Sequence, residues 1–524
     1  MQDKRFVSES RGLRVQPEMG VFSSPHTRTG NTIISTVKQQ DYSAMIWLKR
    51  RDQMERSQQK CIAVFALVCC FAILVALIFS AVDVWGEEED GVTEENCSKN
   101  CRIVLVENIP GELSFNSNST THLSLTLGLN QLLDKAKLSV EIVSPQWALT
   151  SSDEGSRLYP AYQGQFLFQR LLSLKSRGVR LKIASDQPNS TELKGLTDRY
   201  AEVRYVNMTA FTRGRLLSSF WVVDRKHIYI GSGGMSWKAL SKLKELGVIV
   251  YDCSCLAMDL HRIFALYWQL QYRDYIPSIW SKRVTAVFSK DEPLELKLNN
   301  TDAYAYVSTS PELFCPKGRS RDIDAIRHLI REARRLVYIS VTDYLPLVNR
   351  SLRGSVIIRY WSPLDEMLRE AAVLRKVKVR LLISLWAHTH PLTFNFMTSM
   401  QALCTGLPGC SVEVRFYRGK EQTGGINENK FMVTDKAVYI GNLDWVGSEF
   451  AFNAGAGLVI QESQSQPQDG QNSIVEQMTA VFERDWFSPY TISLQAGKNI
   501  VQESQNTWQK VQALKTKPES RESY

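Results

Sequence analysis

The feature that most restricts the fold is a phrase that occurs twice. FWVVDRKHIYIGSGG at 220–234 and FMVTDKAVYIGNLD at 431–444 lie about 210 residues apart and match once a single residue is dropped from the first. Each reads as a short apolar strand, an aspartate in a turn, and a second apolar strand running into glycine. Each is followed by a segment that ends in aromatic residues, FALYWQL near 264 and AVFERDW near 481. Such a duplication builds two similar halves, and similar halves commonly meet at a shared cleft.

Apolar, β-rich runs alternate with helical patterns around both copies. KLSVEIVSP is followed by a helix through GQFLFQRLLSLKSRG and then by VRLKIASD. IRHLIREARRLVYISVTDYLP and DEMLREAAVLRKVKVRLLISLW repeat the helix-then-strand order. This is α/β patterning with largely buried strands. At 524 residues and 44% hydrophobic content, the chain can fill two or more cores.

Ahead of these elements lies CIAVFALVCCFAILVALIFSAV, residues 61–82, 22 residues without a charge. At about 1.5 Å per residue that is enough to cross roughly 30 Å of hydrocarbon. A cleaved signal peptide has a shorter apolar run nearer the N-terminus, so this one reads as a transmembrane signal anchor. Lys49, Arg50, Arg51, Arg56 and Lys60 precede it, and Asp83, Glu87, Glu88, Glu89 and Asp90 follow it. That asymmetry predicts a cytosolic N-terminus and a lumenal or extracellular bulk. The glycosylation triplets at Asn96, Asn118, Asn189, Asn207, Asn299 and Asn349 all fall after the span, in agreement with that orientation. The predicted layout is a mostly disordered cytosolic tail (1–60), the anchor (61–82), an acidic stalk (83–102), two halves (103–285 and 286–495) and a polar tail (496–524).

Of ten cysteines, Cys61, Cys69 and Cys70 lie in or beside the span, and Cys97, Cys101, Cys253, Cys255, Cys315, Cys404 and Cys410 face an oxidising compartment. There C-x3-C and C-x-C favour disulfides over zinc, with the two pairs bridging each other. The partners of Cys315, Cys404 and Cys410 stay open. The net charge is +9, and residues 1–60 hold +5 of it (11 Lys and Arg less 6 Asp and Glu), leaving +4 for the rest. On charge alone this is no strongly basic nucleic-acid-binding ectodomain, although a local basic groove is compatible with it. The cytosolic excess suits anionic lipid headgroups.

The two copies resemble the phospholipase D superfamily, whose signature H-x-K-x4-D followed by G-S-x-N occurs once per half. Over roughly residues 95–495 the chain is similar to that family's type II membrane branch, also in WALTSSD, TDYLP, RYWSPLDEML and DWFSPY, and most of all to its inactive member. The resemblance implies an α/β fold of two phospholipase D-like repeats forming a pseudo-symmetric ectodomain after one N-terminal transmembrane helix, with both motif copies converging on one site. It also implies a nested disulfide pair, Cys97 with Cys255 and Cys101 with Cys253. In the family mechanism one imidazole attacks phosphorus and the other protonates the leaving oxygen. Lysines and Asn or Ser groups hold the nonbridging oxygens, and the acids orient the basic groups.

Laid on that signature, the first copy has Leu217 for the histidine and Ser219 for the lysine, keeps Asp224 and Ser232, and has Gly234 for the asparagine. The second has Glu428 for the histidine, keeps Lys430 and Asp435, and has Asp444 for the asparagine. Leucine neither attacks phosphorus nor relays a proton, and a carboxylate facing an anionic diester meets repulsion unless cations screen it. No other histidine restores the motif, since none of His122, His227, His261, His328, His388 and His390 has a lysine two residues on.

Plain roles fit several of the remaining residues. His227 reads as a solvent-facing or capping residue, and the H-x-H of His388 and His390 as a loop rather than a metal site. Lys430 has a bland reading as a solvated or salt-bridged lysine, and Asp224 and Asp435 as turn formers. Trp221, Trp237 and Trp445 read as core. No metal or cofactor is expected.

The chain therefore reads as a catalytically inactive phospholipase D-like single-pass type II membrane protein of the secretory or endolysosomal pathway. Its expected role is binding, scaffolding or regulation, compatible with homo-oligomers or hetero-oligomers with related members, and no nucleic acid or small-molecule ligand is indicated. One alternative is residual phosphodiesterase activity through Glu428 and Lys430. The other is a receptor or adhesion ectodomain with an incidental cleft.

Overall fold

The computed structural model describes residues 62–75, 97–116, 120–150, 160–270, 275–276, 284–352, 355–420, 426–463 and 473–501. The chain forms two units, 1–82 and 83–524. In the first, residues 62–75 are helical, and Ile62, Phe65, Leu67, Phe71 and Leu74 are all exposed. No described helix is long and apolar enough to cross a membrane. The rest of the 61–82 run, the 1–60 tail, stalk residues 83–96 with Asn96, Asn118, and residues 502–524 lie outside the described residues.

The second unit is built on two sheets. In the first, β1 (Arg102–Asn108), β2 (Ser139–Val143), β3 (Arg180–Ser185), β4 (Glu202–Tyr205), β5 (Phe220–Val223), β6 (His227–Gly231) and β7 (Glu245–Tyr251) lie in the order β1-β7-β6-β5-β2-β3-β4. In the second, β8 (Thr301–Ser310), β9 (Leu336–Val341), β10 (Lys378–Ser384), β11 (Val412–Tyr417), β12 (Phe431–Thr434), β13 (Ala437–Ile440) and β14 (Gly455–Glu462) lie in the order β8-β14-β13-β12-β9-β10-β11. Raising each label of the first order by seven gives the second. Polarity recurs too: β2-β3-β4 and β9-β10-β11 run parallel, and the other pairs in each order are antiparallel. Short strands extend the edges, Leu123–Ser124 beside β1, Leu294–Leu298 and Ser320–Arg321 beside β8, and Thr491–Ser493 beside β11.

Every residue of β5, β6, β12 and β13 is buried, which is why these strands read as unbroken apolar runs rather than as alternation. Trp221, Trp237 and Trp445 are core residues, as expected. The Tyr-Ile-Gly that closes each second strand has a packing cause. Tyr229 lies across Gly231 and Gly247, which face each other in the β6–β7 register, and Tyr439 lies across Gly441 and Gly457. A Cβ at any of the four would run into the ring or the opposing backbone.

The two motif aspartates do structural work at the turns. Asp224, in a turn where it and Arg225 have φ of 52°, accepts the amides of Lys137, Leu138 and Ser139 at 2.7–2.8 Å. Asp435 accepts those of Arg334 and Arg335 at 2.9 and 3.0 Å. Each acid thus ties its turn to the loop that enters the neighbouring strand, β2 or β9. His227 also departs from part of its expectation. It is buried rather than solvent-facing, because it stands in β6 against the Tyr251 ring, and its Nδ1 accepts the Asp252 amide at 3.0 Å.

The sheets share one core. The helix Ser254–Leu270 packs on β2, β5 and β6 and also on β8, so Ile263, Phe264 and Tyr267 lie in the same apolar cluster as Val307 and Ile339. Ion pairs with no solvent-accessible side chain reinforce the contact. Arg319, ahead of the edge strand beside β8, grips Asp259 of that helix through two guanidinium contacts of 2.5 and 3.0 Å, and Lys244 meets Asp485 of the helix Ile474–Trp486 at 2.5 Å. The preceding residue, Arg484, holds Glu107 of β1 with both terminal nitrogens.

Disulfides join Cys97 to Cys255 and Cys101 to Cys253 in the nested arrangement, tying the end of the stalk to the helix after β7. A third joins Cys404 to Cys410, and Cys315 carries none. Residues 494–501 are helical, and Leu494 is buried against the core. Among the glycosylation triplets, Asn189, Asn207 and Asn349 are exposed. Asn299 is half-buried and its amide exchanges two hydrogen bonds with the Ile103 backbone.

Candidate functional site

The motif segments are brought together by a reciprocal exchange of backbone hydrogen bonds. Leu217 N donates to Ala454 O and Ala454 N to Arg215 O, both at 2.8 Å; Glu428 N donates to Lys244 O at 2.8 Å and Lys244 N to Ile426 O at 2.9 Å. Each histidine-equivalent residue is therefore pinned by the residue that leads into the last antiparallel strand of the other half, β14 or β7.

From the first sheet the site receives Leu217, Ser219, Ser232 and Gly234. Leu217 is half-buried against the core. The Ser219 hydroxyl is spent on Gly233 O at 2.8 Å, and Ser232 Oγ accepts the Leu246 amide. A Cβ at Gly234 would crowd Ser144 Oγ at 3.1 Å. Asn442, from the second sheet, donates to Gly231 O at 2.6 Å and Ser219 O at 3.3 Å and accepts Ala456 N. It fastens the sheets directly beneath the missing lysine.

From the second sheet come Glu428, Lys430 and Asp444. Lys430 Nζ lies 2.8 Å from Glu428 Oε2, 3.1 Å from Thr342 Oγ1 and 3.5 Å from Asp444 Oδ2. Asp444 Oδ1 accepts the amides of Thr342 and Asp343, and Asp444 N donates to Glu449. Of the nine motif positions, Asp224 and Asp435 stay out of this site, at the far ends of β5 and β12.

Three further acids join it: Asp343 just past β9, Glu449 beyond the second motif, and Glu245 at the start of β7. Their places in the fold give them away: Asp343 and Glu245 stand at strand ends that the sheets bring together, and Glu449 stands in the short helix Gly447–Phe452 that follows the second motif. Trp386 donates its indole N–H to Asp343, and the exposed His388 sits edge-on to that indole. His390 accepts the Leu392 amide and caps the helix Pro391–Ala402. Among the described residues no group of three or more His, Cys, Asp or Glu side chains is arranged to hold a metal ion.

The electrostatics follow from five carboxyls sharing one ammonium. Burial works to raise the Glu428 carboxyl, but the Lys430 charge and hydrogen bonds from Lys430 and Thr342 outweigh it and hold it below the usual range. Burial and the Asp444 charge push Asp343 up to about 7, and burial with the Glu428 charge pushes Glu245 up to about 8. Asp444 is raised by burial against the pull of Lys430, and Glu449 is raised by burial and by Asp444. Burial alone would lower Lys430, yet Asp444, Glu428 and Glu245 carry it above the usual lysine range. Lys430 is a permanently charged hub whose hydrogen-bonding capacity is already engaged.

A family model described as PLD3/4, PLD-like domain matches residues 116–422. Inactive phospholipase D5 of Homo sapiens is 52% identical over 485 residues, covering 90% of this chain and 88% of that protein. The 5'-3' exonuclease PLD3 of Xenopus laevis is 38% identical over 444 residues, 82% of this chain and 89% of that one. Among solved structures, phosphatidylserine synthase of Haemophilus influenzae Rd KW20 aligns with a TM-score of 0.46 at 11% identity, over 74% of this chain and 92% of that one. With a family model matched over more than half its length and such relatives over most of it, the chain belongs to the PLD3/4-like branch of the phospholipase D family.

Proposed function

We propose that this chain is a phospholipase D-like protein without phosphodiester hydrolysis, acting by binding, scaffolding or regulation. The observation that carries the reading is the pair of residues delivered by the backbone exchange: Leu217 has no reactive group, and Glu428 is bound to Lys430 at 2.8 Å. A carboxylate depressed by that ammonium is a poor base and, being ionised, no acid. Lys430, engaged by Glu428 and Thr342 and facing Asp444, has nothing left for a phosphate oxygen. The name of the 52%-identical human protein supports the reading. The test is a sensitive diesterase assay of the full-length protein in detergent, on phospholipid and on single-stranded oligonucleotide, with the 5'-3' exonuclease PLD3 alongside. No turnover above a Lys430→Ala control is expected; robust turnover lost in that variant would overturn the proposal.

The matching strand orders support a duplicated unit with its two copies related by a pseudo-twofold axis. The exposed apolar side chains on 62–75 and the flanking charges support a type II anchor, with residues 83–524 in the secretory or endolysosomal lumen or outside the cell. Endoglycosidase treatment should then speed gel migration. No shift, with cleavage of this part by protease added outside sealed microsomes, would reverse the orientation.

A further inference from the structure

We propose that the cleft where the two motif copies meet takes a positively charged nitrogen group, a primary ammonium or a guanidinium, in the place where a phosphodiester would lie. The inference rests on the reading of this cleft as a phosphodiester site that has lost its chemistry. Five carboxyl groups converge there from four different stretches of chain: Glu245, Asp343, Glu428, and Asp444 with Glu449. Against them stands Lys430, with its bonds to Glu428 and Thr342 and its contact with Asp444 already made. The other nearby lysine, Lys244, meets Asp485.

The unmet demand is located on Glu245. Its residue is 3% exposed, and its Oε2 has no hydrogen-bond partner. The residue before it, Lys244, accepts the Glu428 amide at 2.8 Å across the seam between the sheets, so Glu245 stands buried beside Glu428, whose charge acts on it together with burial. A buried carboxylate oxygen without a donor is a costly state that an incoming N–H group relieves. At the outer side, half-buried Asp343 carries the Trp386 indole on one oxygen.

A metal ion does not fit this arrangement. Asp444 Oδ1 is taken by two backbone amides, Glu449 by a third and Glu428 by Lys430 and Thr342, and no metal-competent cluster exists among the described residues. An ammonium or guanidinium needs only the oxygens that remain, one at a time. An anionic diester would meet Asp343, Glu428 and Glu245 in turn.

Binding should tighten with rising pH, as Asp343 and Glu245 lose their protons. Asp343 is faced by Asp444, Trp386, Lys430 and Glu428, and Glu245 by Glu428, Lys430, Ser232 and Lys244, so neither is neutralised by a base other than the two lysines named above.

The test is calorimetric titration of the full-length protein in detergent with cadaverine and with agmatine, against dimethyl phosphate at matched ionic strength. Both amines should bind saturably, and more tightly as the pH rises from about 6 to about 9. The isosteric double variant Glu245→Gln/Glu428→Gln should weaken the amines by about tenfold or more, and Asp343→Asn should weaken them without touching the buried carboxyls. Dimethyl phosphate should not bind. Absence of saturable amine binding, amine affinity unchanged in both variants, or tighter binding of dimethyl phosphate would each overturn the inference. Diester turnover is read separately: its absence together with absent amine binding removes this inference alone, whereas its presence removes the inactive reading as well.

Discussion

At the scale of single residues, Lys430 has changed its occupation. In a working site of this kind, replacing the lysine would cost turnover and little else; here it should cost stability. Lys430→Ala leaves Glu428 and Asp444 buried without their cation, and breaking such a pair costs about 3 kcal/mol. A urea melt should show the loss more strongly at pH 8 than at pH 5, where the freed acids take up protons; an unchanged midpoint at both would contradict the pairing. Reversion is blocked in a different way. Leu217→His, Ser219→Lys and Glu428→His together restore the reactive groups, yet Gly234 still lacks a carboxamide side chain and Asp444 still puts a carboxylate at the second asparagine position. A diesterase assay of the triple variant should read little or no turnover.

At the scale of elements, the paired strands and their turn were plain in the sequence, because two apolar runs joined at an aspartate and closed by Tyr-Ile-Gly leave few other folds. The packing behind that phrase was hidden. Tyr439 needs Gly457, which stands in the following strand of the sheet, and only the β13–β14 register brings them together. Gly457→Ala should overpack the ring and cost about 1–3 kcal/mol, read as a lower melting temperature; no change would mean that the strand can shift. Asp224 and Asp435 were legible both as motif positions and as turn formers, and their hydrogen bonds to neighbouring backbone amides show the turn role. Of the acids in the cleft, Glu428 and Asp444 were visible by their spacing from Lys430. Glu245 and Asp343 were not, since their proximity depends on which strand ends coincide, and Glu449 was not, since it depends on the short helix after Asp444 turning back onto the Asp444 amide. The open cysteines were a similar case: Cys404 and Cys410 are close in sequence, but nothing in that spacing excluded Cys315 as a partner.

At the scale of the whole molecule, the crowded carboxyls set a dependence on pH. Glu245, raised to about 8, and Asp343, raised to about 7, keep protons in the fold at pH values where the unfolded chain has released them. Folding then takes up protons, and stability falls as the pH rises from the ordinary carboxylate range through those values. Glu428, Glu107 and Glu413 are depressed, so their contribution is present above the ordinary carboxylate value and lost as the pH falls through their lowered ones. The urea midpoint should therefore rise on going from about pH 8 to about pH 5.5 and fall again in stronger acid. Glu245→Gln should flatten the first limb, and an unaltered slope would detach Glu245 from it. The backbone exchange at the seam has a consequence in time as well as in space. Leu217 cannot find its acceptor until Ala454 has been synthesised, and at about 5–20 residues per second that is a wait of roughly 10–50 s. During it the nascent first half has its own sheet, and the cysteines that close its two disulfides have all emerged, but its seam stays unpaired. A chain that stops short of residue 454 would carry that open edge permanently.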